Sequence, residues 1–277
     1  MGDQLFTAAT QRVLVALSNS SDDGGFPGID FEHEFFPEPI AFAGTIFEFN
    51  RLVLVRMIAA LAVAAIFVVA ARRAKMVPGR GQSLVELLLE FVRKGIAEEI
   101  LGPRARKYTP VLTIIFVGVF AMNITGIIPG LNIAASSVVA VPLVFALFAY
   151  FTFIIAGMRE RGGLAFFREQ LFVPGIPWPI YFILTPIELL STFVIRPVTL
   201  TMRLLANMMV GHLILVLAFT GTHYLFFEAA GAVKAAGTLT FGVGIIFLLF
   251  ETFVAALQAY IFTLLTSVYI NLSVEHH

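Results

Sequence analysis

Cysteine is absent from this sequence of 277 residues, and its absence excludes several kinds of site. Disulfide bonds, thiolate metal centres and cysteine nucleophiles all require a cysteine side chain. The sequence also lacks the His-Glu-x-x-His motif, which supplies two zinc ligands and a general base to many metalloproteases. We therefore predict a protein that holds no metal ion and no other cofactor.

Charged residues are scarce and balanced, at 13% of the sequence with a formal net charge of zero. Proteins that bind nucleic acid carry a basic surface, so no nucleic-acid partner is expected. Hydrophobic residues make up 59% of the sequence, 29 residues are Phe, and the mean hydropathy is +0.93. A soluble domain of this length could not bury so much apolar surface, so we predict an integral membrane protein in a lipid bilayer.

The apolar residues form five long runs, which predict an all-α membrane domain over residues 51–277. A helix needs about 20 residues to cross the hydrocarbon core of a bilayer. The predicted spans are residues 52–71, 108–128, 138–158, 180–220 and 236–272. Residues 1–50 form a separate segment that is rich in Asp and Glu and has Arg12 as its one Lys or Arg.

A further helix is predicted over residues 82–101, with a different pattern. Leu84, Leu87, Leu88 and Phe91 recur at helical spacing, and charged residues lie between them. This helix carries too much charge to span a membrane. We predict that it is amphipathic and lies in the membrane interface.

The basic residues predict the orientation of the chain. Nine of the 18 Lys and Arg residues lie in residues 72–107 and three in residues 159–168, whereas the loops at 129–137 and 221–235 contain only Lys234. Five crossings place the two basic loops on one side, which should be the cytoplasm. The acidic N-terminus is then predicted outside and the C-terminus in the cytoplasm.

The last two runs are too long for a perpendicular crossing. Residues 180–220 would form a helix of roughly 60 Å, twice the thickness of the hydrocarbon core. We predict that this helix tilts, breaks at Pro186 or Pro197, or begins along the surface. Arg196, beside Pro197, is predicted to extend its side chain towards the lipid headgroups.

Polar side chains occur within these two runs, where they are costly. Arg203 and Asn207 are four residues apart and share a helix face, as do Glu251 and Gln258, which are seven apart. An antiparallel hairpin that pairs Arg203 with Gln258 brings His212 nearly level with Glu251. Its centre falls near residue 230, in the expected loop. We predict that the last two helices pack in this way and that these side chains follow an ion or proton path.

The segments RPVTLTMRLLANMMVGHL and ETFVAALQAYIFTLLTSVYI resemble subunit a of F-type ATP synthases, and the actinobacterial type in particular. The resemblance extends over essentially the whole chain. It implies a proton-translocating stator subunit of the Fo sector in a bacterial plasma membrane. Such a subunit catalyses no reaction itself, because nucleotide chemistry takes place in other subunits.

The resemblance also implies partners and roles. The partners are the ring of c subunits, the b-type peripheral stalk subunits and the remaining ATP synthase subunits. The stator arginine is Arg203, and the neighbouring positions for proton translocation are Asn207, His212, Glu251 and Gln258. Candidate channel-lining residues are Asn123, Asn132, Thr192 and Thr199. Gly126 stands where many relatives carry Asp, so the outer channel departs from the family here.

The implied mechanism is electrostatic. Two aqueous half-channels reach the ring from opposite sides, and Arg203 separates them. A guanidinium remains protonated, so it favours the ionised form of each ring carboxylate that arrives. The carboxylic acid then releases its proton to the cytoplasmic half-channel and takes another from the outer one. Proton flow is thereby coupled to ring rotation and ATP synthesis.

Two other functions are alternatives for a membrane protein with these polar residues. An intramembrane hydrolase could use His212 and Glu251, but one His and one Glu supply too few ligands for a catalytic metal. A stand-alone transporter usually shows an internal repeat, and the sequence shows none. Proton translocation within an ATP synthase is therefore the preferred hypothesis.

Overall fold

The computed structural model describes residues 50–75, 79–128, 139–163, 166, 178–227 and 234–274. These residues are helical, and none of them belongs to a strand. The chain divides into two compact units. Of the described residues, those up to Met209 and those from Thr252 onwards belong to the larger unit, and those between Val210 and Glu251 belong to the smaller one. The predicted acidic segment, residues 1–49, lies outside the described residues.

The helices are α1 (Arg51–Arg72), α2 (Arg80–Val92), α3 (Ala105–Ile124), α4 (Ala140–Arg161), α5 (Trp178–Leu190), α6 (Arg196–Phe227) and α7 (Lys234–Val274). Five helical stretches are long and apolar enough to cross a membrane: Arg51–Arg72, Arg80–Ile124, Ala140–Glu160, Leu184–Phe227 and Ala236–Val274. The prediction of an all-α protein with five such helices is confirmed.

Helix α1 begins at a side-chain cap and presents an apolar surface. The side chain of Asn50 accepts a hydrogen bond from the backbone N–H of Val53 at 3.0 Å, which satisfies one free donor of the first turn. Leu61 and Ile66 are more than half exposed. Large exposed apolar side chains along a whole helix are expected where lipid replaces water as the solvent.

The second helical stretch contains a break close to the boundary that the sequence predicted between two helices. After α2, a π-helical segment (Arg93–Glu98), one α-helical turn (Glu99–Leu101) and one 3₁₀ turn (Gly102–Arg104) lead directly into α3. Helix α3 contains Pro110. Gly102 has a φ of +54° and a ψ of −126°, a conformation that no right-handed helix contains, so the chain changes course at the boundary predicted near residue 101.

The larger unit has one hydrophobic core to which five helical stretches contribute. Its buried members include Val92 and Ile96 from the α2 region, by which we mean α2 and the turns that follow it up to Arg104. They also include Leu112 from α3, Leu204 from α6 and Phe262 from α7. The core also includes small residues of α4, such as Ala146 and Ala149. Small residues let helices approach closely, which is a main source of packing energy within a bilayer.

The α2 region has two unlike faces. Val92, Ile96 and Ala97 are fully buried, whereas Leu84 and Leu87 are about two-thirds exposed. Between them lie exposed charge pairs, one of which joins Lys94 Nζ to Glu90 Oε1 at 2.5 Å. The helix thus has the amphipathic character predicted for residues 82–101, while its placement in the membrane interface stays a prediction.

The long run that begins at residue 180 neither breaks at Pro186 nor ends at Pro197. A π-helical segment, Ser191–Ile195, joins α5 to α6 between the two prolines. Each proline lacks a backbone N–H and so removes one helical hydrogen bond. A wider turn between the two positions keeps the chain helical, which explains why the predicted break is absent.

Helix α6 also continues beyond the predicted end at residue 220. The chain remains helical through Phe227, and α7 begins at Lys234, so the predicted loop of residues 221–235 is shorter than expected. Thr222, which is buried, donates a hydrogen bond to the Ala218 carbonyl at 2.7 Å and lies 3.1 Å from the Thr240 hydroxyl. Contact with α7 stabilises these last turns of α6.

The C-terminal part of α7 is bound to other helices of the larger unit. The Ser273 hydroxyl donates to the Phe153 carbonyl of α4 at 3.0 Å, and Arg104 Nη1 donates to the Val274 carbonyl at 3.3 Å. These bonds satisfy polar groups near the end of α7, where backbone carbonyls lack helical partners. The C-terminal end of α7 is therefore packed within the larger unit.

Gly157→Ala is expected to destabilise the larger unit. A methyl group at this position would overlap the Ser273 hydroxyl and the ring of buried Phe166. Overpacking of this kind costs about 1–3 kcal/mol. The measurement is the thermal unfolding temperature of the purified complex. Gly163→Ala is the matched control, because no atom lies within 4 Å of its added methyl group, and equal unfolding temperatures for both variants would contradict the prediction.

Candidate functional site

Arg203 lies on an exposed and largely apolar side of α6, where Thr199 and Asn207 are the nearest polar residues of the helix. Met202 and Ala206 are exposed beside it, whereas Leu205 and Met208 on the other side of the helix are buried. Among the described residues, none forms a hydrogen bond or an ion pair with Arg203. An unpaired arginine in an apolar surface at membrane depth is costly, so this surface requires an acidic partner or water.

Arg196, which is predicted to extend towards the headgroups, lies against two aromatic rings. Its guanidinium carbon lies 5.1 Å from the centre of the Tyr269 ring and 5.9 Å from that of Phe153. Its Nη1 atom is buried and has no hydrogen-bond partner within the described part of the chain. The aromatic faces attract the cation, which explains why the side chain stays against the protein. The contact with Tyr269 also joins α6 to α7 in the larger unit.

Asn207 and Gln258 are the remaining predicted site residues of the larger unit. Asn207 is half-buried one turn after Arg203, and Gln258 on α7 is buried at 6% exposure. The Gln258 Nε2 atom is buried without a hydrogen-bond partner among the residues that the structure covers. A buried amide nitrogen in this state carries a large desolvation cost, so a water molecule or a second chain is expected to accept from it.

His212 and Glu251 belong to the smaller unit, and both are buried, at 3% and 5% exposure. The Glu251 side chain lies against Gly211: a Cβ atom built there would be 2.8 Å from Cδ and 3.3 Å from Cγ, and would also overlap Oε1. The second carboxylate oxygen, Oε2, is buried and has no hydrogen-bond partner within the described ranges. Gly211 therefore provides the space that this carboxylate occupies.

The register of α6 and α7 within the smaller unit is given by direct contacts. Thr222 is hydrogen-bonded to Thr240, and Gly211 touches Glu251. In each pair the two residue numbers average to 231, so the residues that face one another become more distant in sequence along the pair of helices. The two helices therefore run antiparallel in this unit. Gly237 lies close to Phe226 in agreement with the same register.

The candidate channel-lining residues have different environments. Asn123 is fully buried, and Thr192 is buried at 1% exposure with its hydroxyl unpartnered within the part of the chain described. Thr199 is exposed, and its hydroxyl donates to the carbonyls of Ile195 and Arg196 at 2.8 and 3.0 Å. Asn132 lies outside the described residues. The predicted roles of all four in a channel stay predictions.

The predicted site residues are divided between the two units. Arg203, Asn207 and Gln258 lie in the larger unit, and His212 and Glu251 in the smaller one. Sequence reasoning did not assign a role to Gly211. The signal that could have indicated such a role is the position of Gly211, which directly precedes buried His212 and faces Glu251 in the predicted hairpin register.

Comparisons with known proteins bear on what this site does. The ATP synthase A chain family matches residues 53–271. ATP synthase subunit a of Rhodococcus erythropolis is 42% identical over 266 residues, covering 96% of this chain and 96% of the relative. ATP synthase subunit a of Pseudarthrobacter chlorophenolicus is 37% identical over 262 residues, covering 93% and 97%. The corresponding subunit of Frankia alni is 39% identical over 228 residues, covering 82% and 78%.

These matches confirm the resemblance that the motifs of α6 and α7 predicted, including its actinobacterial character. They extend over nearly all of the chain, and five helical stretches are long enough to cross a membrane. The chain is thus a multi-pass membrane protein that belongs to the ATP synthase A chain family.

Proposed function

We propose that this chain is the proton-translocating subunit a of the Fo sector of an ATP synthase, and that Arg203 is its stator arginine. The observation that carries the proposal is the position of Arg203 in an exposed, largely apolar face of α6 without a partner among the described residues. Such a face suits an acidic membrane partner. In subunit a that partner is the ring of c subunits, each with one carboxylate.

The cation at residue 203 would act on each ring carboxylate in turn. Two opposite charges 4 Å apart attract by about 4 kcal/mol at the effective dielectric constant typical of protein sites. This attraction favours the ionised carboxylate next to Arg203, so the arriving acid gives its proton to the cytoplasmic half-channel. Because a guanidinium does not deprotonate, the same charge blocks direct proton passage between the half-channels.

His212 and Glu251 are proposed to carry protons in the outer half-channel. Both are buried in the same unit, and Gly211 leaves room for the Glu251 carboxylate. An imidazole exchanges protons near physiological pH, and a carboxylate is a common partner in proton relays. Asn207 and Gln258 are proposed as hydrogen-bonding groups beside Arg203. Asn123, Asn132, Thr192 and Thr199 remain candidates for the channel walls.

The last two helices are proposed to form one long hairpin against the ring. The antiparallel contacts within residues 210–251 and the contact of Arg196 with Tyr269 support this arrangement. The α2 region is proposed to lie in the interface, since its Leu84 and Leu87 are exposed beside charge pairs. The basic loops then lie in the cytoplasm of a bacterial cell, with residues 1–50 outside and the membrane domain over 51–277.

The chain is proposed to work only within the complete ATP synthase. Its partners would include the b-type peripheral stalk subunits and the catalytic sector, which performs the nucleotide chemistry. This chain would therefore have no enzymatic activity of its own. Membership of the family favours neither the stand-alone transporter nor the intramembrane hydrolase that the sequence left open.

A cross-linking experiment tests the proposed partner. Because the sequence has no cysteine, Ala206→Cys introduces a single thiol on the Arg203 face of α6. With a second cysteine placed near the ring carboxylate, mild oxidation of membranes should join the chain to a c subunit. Val144→Cys, which is exposed on α4, is the control and should not react with the ring. Equal reaction at both positions, or none at Ala206→Cys in an assembled complex, would refute the proposal.

A further inference from the structure

A large cavity lies in the larger unit, apart from the proposed proton path. Its volume is about 1040 Å³, and its walls come from α1, the α2 region, α3 and Phe145 of α4. The lining from α1 includes Ala60, Ala64 and Phe67, and the lining from α3 extends from Arg106 to Met122. That part of α3 is roughly 24 Å long. The cavity therefore extends along most of α3, which belongs to one of the five stretches apolar enough to cross a membrane.

One end of the cavity is charged, and the rest is mainly apolar. Arg93, Glu98 and Arg106 line it near the start of α3. Arg93 Nε is bonded to Glu98 Oε1 at 2.7 Å, so these two charges compensate one another. Arg106 is exposed and has no ion-pair partner among the described residues. The three groups leave one net positive charge, which matches a single phosphodiester anion.

The lining favours a lipid as the occupant, because its apolar walls end at Arg106, which has no ion-pair partner among the described residues. Side chains such as Ala60 and Ala64 leave a narrow apolar channel beside Phe67. A flexible hydrocarbon chain can follow such a channel. The arginine at its end supplies the recognition that an acyl chain alone lacks.

We propose that this cavity binds one anionic phospholipid, with its acyl chain between α1 and α3 and its phosphate on Arg106. The lipid fills apolar space between α1 and α3 that protein side chains leave open. The site is independent of the function proposed for Arg203, because none of its lining residues lies on α6 or α7. It would hold α1, the α2 region and α3 together.

Photolabelling of the assembled complex tests this site. The probe is phosphatidylglycerol with a diazirine in one acyl chain, compared with phosphatidylcholine that carries the same chain. After irradiation, mass spectrometry of peptides should find the phosphatidylglycerol label on lining residues of α1 and α3, with the phosphatidylcholine label about tenfold weaker. Both lipids carry the phosphate, but the choline cation cancels its charge and is repelled by the net positive charge of the site, which accounts for a preference of this size.

Two pairs of variants separate this site from general lipid contact. Ala64→Phe should fill the cavity and reduce labelling about tenfold, since the apolar contacts of the chain are lost. Ala65→Phe should not, because Ala65 is equally exposed on α1 but does not line the cavity. Arg106→Gln should reduce phosphatidylglycerol labelling to the phosphatidylcholine level, whereas Arg80→Gln, outside the cavity, should leave it unchanged.

Three results would overturn the proposal. The first is labelling that Ala64→Phe and Ala65→Phe change equally, which indicates ordinary boundary lipid. The second is equal labelling by the two lipids in the unmodified chain. The third is cross-linking of the cavity residues to a helix of another subunit, which would identify a protein rather than a lipid as the occupant.

Discussion

Replacement of Arg203 by alanine is expected to abolish ATP-driven proton pumping and proton-driven ATP synthesis. The change removes the fixed cation that favours ionisation of the ring carboxylate. Loss of about 4 kcal/mol of charge attraction corresponds to a decrease of roughly 1000-fold in rate. The measurement is acidification of inverted membrane vesicles after ATP is added, followed by a pH-sensitive dye.

The control for this variant is Met202→Ala, which shortens the neighbouring exposed side chain of α6 without altering charge. It should pump at close to the normal rate. Arg203→Lys keeps the charge but loses the planar, delocalised guanidinium, so we expect partial activity at most. Normal pumping by Arg203→Ala in a complex that contains all its subunits would remove the basis of the proposed function.

Glu251→Gln is expected to lower proton pumping by about 100-fold, which is within the range for loss of a group that transfers protons. Glutamine has nearly the same shape as glutamate and should fit beside Gly211, but it cannot take up or release a proton. ATP hydrolysis by the detached catalytic sector should be unchanged. Pumping at the normal rate would assign Glu251 a packing role only.

Gly211→Ala gives an independent test of the same carboxylate. The added methyl group would overlap Glu251 Oε1, so the carboxylate must move while its chemistry is retained. We expect a smaller loss of pumping than in Glu251→Gln, of about tenfold, because a displacement of this size lengthens one proton transfer. Gly244→Ala is the control: its methyl group would make ordinary contact with Phe219 at 3.5 Å. Equal activity of the two alanine variants would argue against a positional role for Gly211.

The number of long helices and most of their positions could be predicted from the sequence. Hydropathy indicates a spanning helix well, because a bilayer requires about 20 apolar residues and full satisfaction of backbone hydrogen bonds. Within residues 210–251, the contacts of Thr222 with Thr240 and of Gly211 with Glu251 show an antiparallel arrangement. The pairing of Arg203 with Gln258, from which the hairpin register was predicted, stays a prediction.

Helix ends and side-chain environments were less predictable. Gly221 suggested the end of α6, but packing on α7 keeps the helix intact through Phe227. Arg196 suggested a headgroup contact, but the rings of Tyr269 and Phe153 attract it. Both differences depend on partners far away in sequence, which no local pattern reveals. The space at Gly211 is likewise visible only when the opposite helix is present.

The π-helical segment Ser191–Ile195 affects how substitutions and deletions are tolerated upstream of Arg203. A π turn holds one residue more than an α turn, and each residue of an α-helix rotates the chain by about 100°. Deletion of one residue from this segment would therefore replace the π turn by an α turn of the same overall rotation, and α5 would keep its orientation relative to the face that carries Arg203. Natural variants of this chain should tolerate the loss of one residue between Ser191 and Ile195 more readily than the loss of one residue from the regular part of α6, which would turn one side of the helix by about 100° relative to the other.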